Sequence, residues 1–153
     1  MTKFQGQKNN AYVFVVHVHF SNFPMYTRVM KLSTHQESYA ICRLSPDAPF
    51  PDWATGQLVS LSRTADELSV VCQEDSVPNT IKHERNWRVL QVEGPMDLSI
   101  IGVLASLTKP LAEAGINLFA ISTFDTDYLL VKAEKYDAAK AALEGAGHEV
   151  QGD

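Results

Sequence analysis

Between Trp87 and Val150 the hydrophobic period of the chain alternates between two and 3.6 residues. The order of those periods limits the fold more than any other feature. Residues 87–93 (WRVLQVE) are β-rich, and after the loop 94–101 (GPMDLSII) the apolar residues Val103, Leu104, Leu107, Leu111 and Ala114 recur at helical spacing. Gly115 stops that helix as a left-handed cap. Pro110 lies inside it, where it removes one donor and crowds the carbonyl of Ser106, so a kink is expected. Two β-rich runs, 116–124 (INLFAISTF) and 128–133 (YLLVKA), flank the turn residues Asp125, Thr126 and Asp127 as a hairpin. Tyr136, Ala139 and Leu143 line one side of a second helix, Gly147 caps it, and 148–150 is a last strand.

The order is βαββαβ. It predicts an antiparallel four-stranded sheet with both helices on one face, a ferredoxin-like plait in the α+β class. The other sheet face must be hidden by a second sheet or a second chain, which predicts a homodimer or a back-to-back pair of units.

The first half shows the same strand order with less helix. Strands are expected over 39–44 (YAICRL), 58–63 and 68–73 (LSVVCQ), with a polar hairpin turn at 64–67. Pro46, Pro49 and Pro51 forbid a long helix between the first two and leave a short helical turn near Trp53. Residues 74–86 (EDSVPNTIKHERN) are polar and lack an apolar period, so they read as a linker with one helical turn. The half reads as a degenerate copy of the second unit. The expected division is an extension over 1–29, a degenerate unit over 30–80 and a complete unit over 81–153.

Charge separates the amino terminus from the rest. Residues before Met30 carry Lys3, Lys8 and Arg28 and no acid, although the chain as a whole carries -5. The run 12–20 (YVFVVHVHF) alternates as a strand would, and His17 and His19 share a face. Two histidines without a third ligand make no metal site. No small-residue cleavage site follows them, so secretion is disfavoured and 1–29 is expected to be an appendage dispensable for folding. No run approaches the roughly 18 apolar residues that cross a bilayer, which argues against a membrane protein. The acidic balance argues against nucleic acid as a partner. Cys42 and Cys72 have no metal spacing and lie beside no catalytic signature, so buried free thiols in a reducing cytoplasm are favoured over a disulfide between paired strands. His35, His83 and His148 are scattered, and no cofactor fingerprint occurs.

The segments YAICRLSPDAPFPDWATG, LSVVCQED and VEGPMDLSIIGVLASLTKPLAEAGINLFAISTFDTDYLLVKAE resemble the small bacterial ACT-domain proteins related to the cytosolic arginine sensors of animals. The likeness spans 39–150. It implies paired ACT units and a free amino acid held at an interface between units. On the family's pattern Leu98, Ser99 and Gly102 belong to the ligand loop, and Thr123, Phe124 and Asp127 to the binding-strand end. Ile101 departs from it, since many relatives carry threonine there.

The residues suit that role chemically. A loop that opens a helix offers backbone donors to an α-carboxylate, and Asp127 can meet an α-ammonium. The competing readings are that Gly102 only begins a helix, Ser99 only caps it, Phe124 packs in the core, and Asp125 and Asp127 accept backbone donors in an Asx turn. No histidine, cysteine or lysine accompanies the two aspartates, so no acid–base catalysis is expected. The sequence thus predicts a non-enzymatic amino-acid-binding regulator, with a pure dimerisation module as the alternative.

Overall fold

The computed structural model describes residues 28–97 and 99–152. Leu98, His17, His19 and the alternating run 12–20 therefore lie outside the described residues, as does most of the expected extension. Eight strands and two helices follow in the order β1 (Lys31–Thr34), β2 (Tyr39–Leu44), β3 (Ser60–Arg63), β4 (Leu68–Gln73), β5 (Lys82–Val92), α1 (Val103–Glu113), β6 (Leu118–Ser122), β7 (Asp127–Lys132), α2 (Tyr136–Gly145) and β8 (Glu149–Gln151). All strands join one mixed sheet.

The long strand β5 organises the molecule. Its first half pairs with β2, its last residues pair with β1, and residues 87–91 pair with β7 on the other edge. The registers of β1 and β2 against β5 differ by only a residue or two, so these two strands form one interrupted ribbon along β5. Strands β4 and β3 extend the sheet beyond β2, and β6 extends it beyond β7.

The second half is the expected plait with one addition. In a four-stranded plait β8 would lie against β5; here β1 is inserted, antiparallel to β5 and parallel to β8. The residues KLST carry a single buried apolar side chain, Leu32, which is too little pattern to mark a strand. Long-range backbone pairing makes one of them.

The linker expected over 74–86 is also corrected. Residues Glu74–Ser76 form a short 3-10 turn, and Lys82–Asn86 already belong to β5. Their burial alternates with period two, but the inward positions hold His83 and Arg85 rather than apolar residues, which hid the strand. Two further boundaries move inward: the strand expected from 58 starts at Ser60, and the helical turn near Trp53 is a simple hydrogen-bonded turn in which Ala54 N–H donates to Pro51 O at 3.4 Å.

Both helices pack on one face. Leu107, Leu111 and Leu143 are fully buried against Leu32, Leu90, Val92, Leu129 and Val131. Each such leucine is worth about 1.5–3 kcal/mol in burial. α1 ends in a Schellman motif: Ile116 N–H donates to Leu111 O and Gly115 N–H to Ala112 O, both close to 3 Å. α2 ends the same way through His148 and Gly147. Pro110 is accommodated within α1, which runs on to Glu113.

The opposite face of the second half is covered from within the chain. Tyr39, Leu58 and Val71 of the first half pack with Val89 and Leu130, joined by Trp87, Ile121 and Tyr128. A third cluster, Ala40, Cys42, Leu68, Val70, Cys72 and Val77, lies on the other side of the first half under the irregular segment 45–58. Turns replace helices there, as the proline density predicts.

Candidate functional site

The loop 94–102 leaves the end of β5, and the turn 123–126 joins β6 to β7 at the same end of the sheet. They meet through the backbone. Met96 N–H donates to Asp125 O at 2.8 Å, and a Cβ placed on Gly94 would stand 2.7 Å from that same oxygen. The absence of a side chain at Gly94 therefore permits the approach.

Within the loop, Asp97 organises a turn of its own. Its Oδ1 accepts from Ser99 N–H at 2.8 Å, and its carbonyl accepts from Ile100 N–H at 3.0 Å. The hydrogen bonds from Ser99 hold the Asp97 carboxyl below its ordinary range. Ser99 is thus a turn residue. The N-cap of α1 is Gly102, at φ +88°, and no side chain caps the helix. The first-turn amides of α1 are consequently left to solvent or to a ligand. Ile101 projects outward, 71% exposed.

Threonines close the turn 123–126. Thr123 N–H and Oγ1 both donate to Thr126 O, at 2.8 and 2.9 Å, and Thr126 Oγ1 donates to Val92 O. The hydroxyl bond to β5 anchors the turn to the strand that launches the loop. Phe124 is 78% exposed and takes no part in the core. Asp127 points the other way: it is 7% exposed, and its Oδ1 accepts from Ser122 Oγ at 2.5 Å. Among the described residues no lysine or arginine pairs with this carboxylate.

Ser99, Gly102, Thr123, Phe124 and Asp127 are therefore gathered at one end of the second half. The gathering supplies open helix amides, a buried carboxyl group and two exposed apolar side chains, Ile101 and Phe124. It does not supply an enclosed cavity. The hollow beside the helix start, lined by Arg28, Met30, Ile100, Gly102, Val103 and Ser106, has essentially no water-sized volume. Among the described residues no cluster of histidine, cysteine and carboxylate side chains could hold a metal, and no helix is long and apolar enough to cross a membrane.

A separate cleft of about 230 Å³ opens between the halves, where Ser60, Ser62, Ser69 and Val71 face β6 at Phe119 and Ile121. The sequence reading missed it. Ser60 and Ser62 alternate along β3 with Ser69 opposite on β4, a legible signal, but their approach to β6 depends on how the sheet folds over itself. No ionisable side chain lines it.

A βαββαβ plait with an open loop-to-helix junction, extended by a first half without helices, defines a ferredoxin-like α+β fold. Residues 82–145 match the ACT-domain family model, and residues 37–80 match the model of an N-terminal domain family. The chain belongs to the ACT-domain family. It is 37% identical to a protein of Agobacterium tumefaciens solved by X-ray crystallography, with 81% of this chain and 93% of that one aligned and a TM-score of 0.77. A Vibrio cholerae protein of unknown function, described as a possible transport protein, is similar at 18% identity over 78% of this chain and 91% of that one, TM-score 0.65. The regulatory subunit of aspartate kinase from Thermus flavus shares the fold at 12% identity over 78% and 98%, TM-score 0.57. No curated protein matches the chain.

Proposed function

We propose that the protein is a non-enzymatic, cytoplasmic sensor of a free amino acid, of the kind formed by bacterial relatives of the cytosolic arginine sensors. The observation that carries this reading is Asp127. A carboxylate held 7% exposed with only a serine hydroxyl beside it is costly unless a cation joins it, and no cation of the described chain does. The α-ammonium of an amino acid is the missing partner, while the uncapped amides behind Gly102 receive the α-carboxylate.

The open geometry gives the second chain of a homodimer its role. Ile101 and Phe124 stand exposed around a cradle that lacks an outer wall, and a facing copy would cover both and exclude the water that screens the charges. The serine cleft suits an amino acid less well, because it offers neither charge.

A thermal-shift screen of the common amino acids on ligand-free protein tests the reading. Ligand at a hundred times its dissociation constant adds about 2.7 kcal/mol, and each kcal/mol moves the melting point of a chain of this size by about 2–4 °C. Asp127→Asn preserves shape and the Ser122 contact but removes the charge, so the shift shrinks or disappears. No shift with any amino acid favours a pure dimerisation module. A shift unchanged in Asp127→Asn moves the ammonium site elsewhere.

A further inference from the structure

The core under the irregular segment 45–58 holds two thiols that the amino-acid-binding reading does not use. Cys42 on β2 and Cys72 on β4 are 1% and 0% exposed, and both are free thiols. Ala40 lies opposite Cys72 and Cys42 opposite Val70, so the cysteines are diagonal neighbours on one face of adjacent antiparallel strands. They belong to the same buried cluster. Ser76 Oγ donates to Gln73 O at 2.7 Å and stands 3.6 Å from the Cys72 sulfur.

We propose that Cys42 and Cys72 are an oxidative modification site, a dithiol that hydroperoxides convert to an intramolecular disulfide when the segment 45–58 opens.

The two sulfurs have different tasks. Interaction with the neighbouring Cys42 thiol pulls Cys72 toward the thiolate despite its burial, and the same interaction pushes Cys42 up. In the first step the Cys72 thiolate attacks a peroxide oxygen, the O–O bond breaks, and the leaving hydroxide or alkoxide takes up a proton. Cys72 becomes a sulfenic acid. In the second step the Cys42 sulfur attacks the Cys72 sulfur, the S–O bond breaks, and hydroxide departs with the Cys42 proton as water. Two thiols and one hydrogen peroxide give one disulfide and two waters.

The cover supplies access. Residues 45–58 contain neither helix nor strand, and only Ala48, Trp53 and Ala54 pack from it onto the cluster, each half-buried. Segments with few buried contacts open at lower free energy than the sheet beneath them. Closing the bond staples β2 to β4, and β2 continues through β1 into the second half.

The experiment treats the full native chain with hydrogen peroxide, then unfolds it, blocks remaining thiols with iodoacetamide and measures intact mass. The expected product has lost two hydrogen masses, takes up no alkyl group, yields a Cys42–Cys72 linked peptide, and returns to two alkylated thiols after dithiothreitol. Cys42→Ala halts at a sulfenic acid on Cys72 that dimedone captures. Trp53→Ala, which thins the cover, raises the oxidation rate severalfold. Two alkylatable thiols after peroxide, a linkage between chains, or direct passage of Cys72 to sulfinic acid with Cys42 free overturns the proposal. An unchanged rate in Trp53→Ala overturns the role of the cover. The wild-type mass measurement decides the matter even where the core variants fail to fold.

Discussion

The backbone N–H of Met96 donates to the carbonyl of Asp125, 2.8 Å away, and this one bond ties the loop before α1 to the turn before β7. It joins the two segments that carry the candidate residues, the loop that opens α1 and the turn that precedes Asp127. Gly94, two residues earlier, leaves room for it.

Gly94→Ala places a methyl group 2.7 Å from a backbone oxygen that has no flexible side chain to yield. The Met96–Asp125 bond is expected to break, at a cost of about 0.5–1.5 kcal/mol for a hydrogen bond of this kind. Urea unfolding reads the stability loss. On the proposed amino-acid site, affinity read by calorimetry falls further than stability does, because the contact between its two segments is lost.

Gly102→Ala meets no steric neighbour, so its effect isolates backbone conformation. At φ +88° an L side chain costs about 1–2 kcal/mol. Thermal unfolding should show a fall of several degrees. A neutral result would mean that α1 starts one turn later than described.

Leu111→Ala removes a fully buried side chain that packs under α1 and also accepts the Schellman bond of Ile116 through its backbone. The expected loss is about 2–5 kcal/mol. Chemical denaturation measures it, and the unfolding slope stays unchanged if the fold is retained.

Asp97 gives a pH dependence of defined sign. Its carboxyl titrates lower in the folded chain than in the unfolded one because Ser99 donates to it. The bond therefore contributes fully above the unfolded value of about 3.9 and is lost as pH falls through the lower folded value. Carbon-detected NMR titration should place the Asp97 midpoint below that of an unstructured aspartate, with the Ser99 amide shift moving in step. In Asp97→Asn that pH-dependent amide shift disappears.

Much of the site was visible as residue types. Gly102, Thr123 and Phe124 were singled out by the family resemblance, whereas the loop-to-helix junction by itself implied open amides. The roles within it were less visible. Ser99 serves Asp97 rather than the helix, and Thr123 with Thr126 closes the turn for which an Asx turn at Asp125 was one reading. Short polar side chains have several local partners within reach, and which one they take depends on backbone angles that spacing does not specify.

Local sequence determined α1, α2, the two hairpins and their caps, because each rests on contacts within about ten residues: Leu107 with Leu111, Gly115 with Ala112, Thr64 with Glu67. Tertiary structure alone decided that Lys31–Thr34 enters between β5 and β8, that the polar residues Lys82–Asn86 extend β5, and that Asp127 is buried with no lysine or arginine partner among the described residues. Strand pairing satisfies backbone donors and acceptors whatever the side chains are, so a segment as poorly patterned as KLST becomes a strand once its neighbours present two open edges.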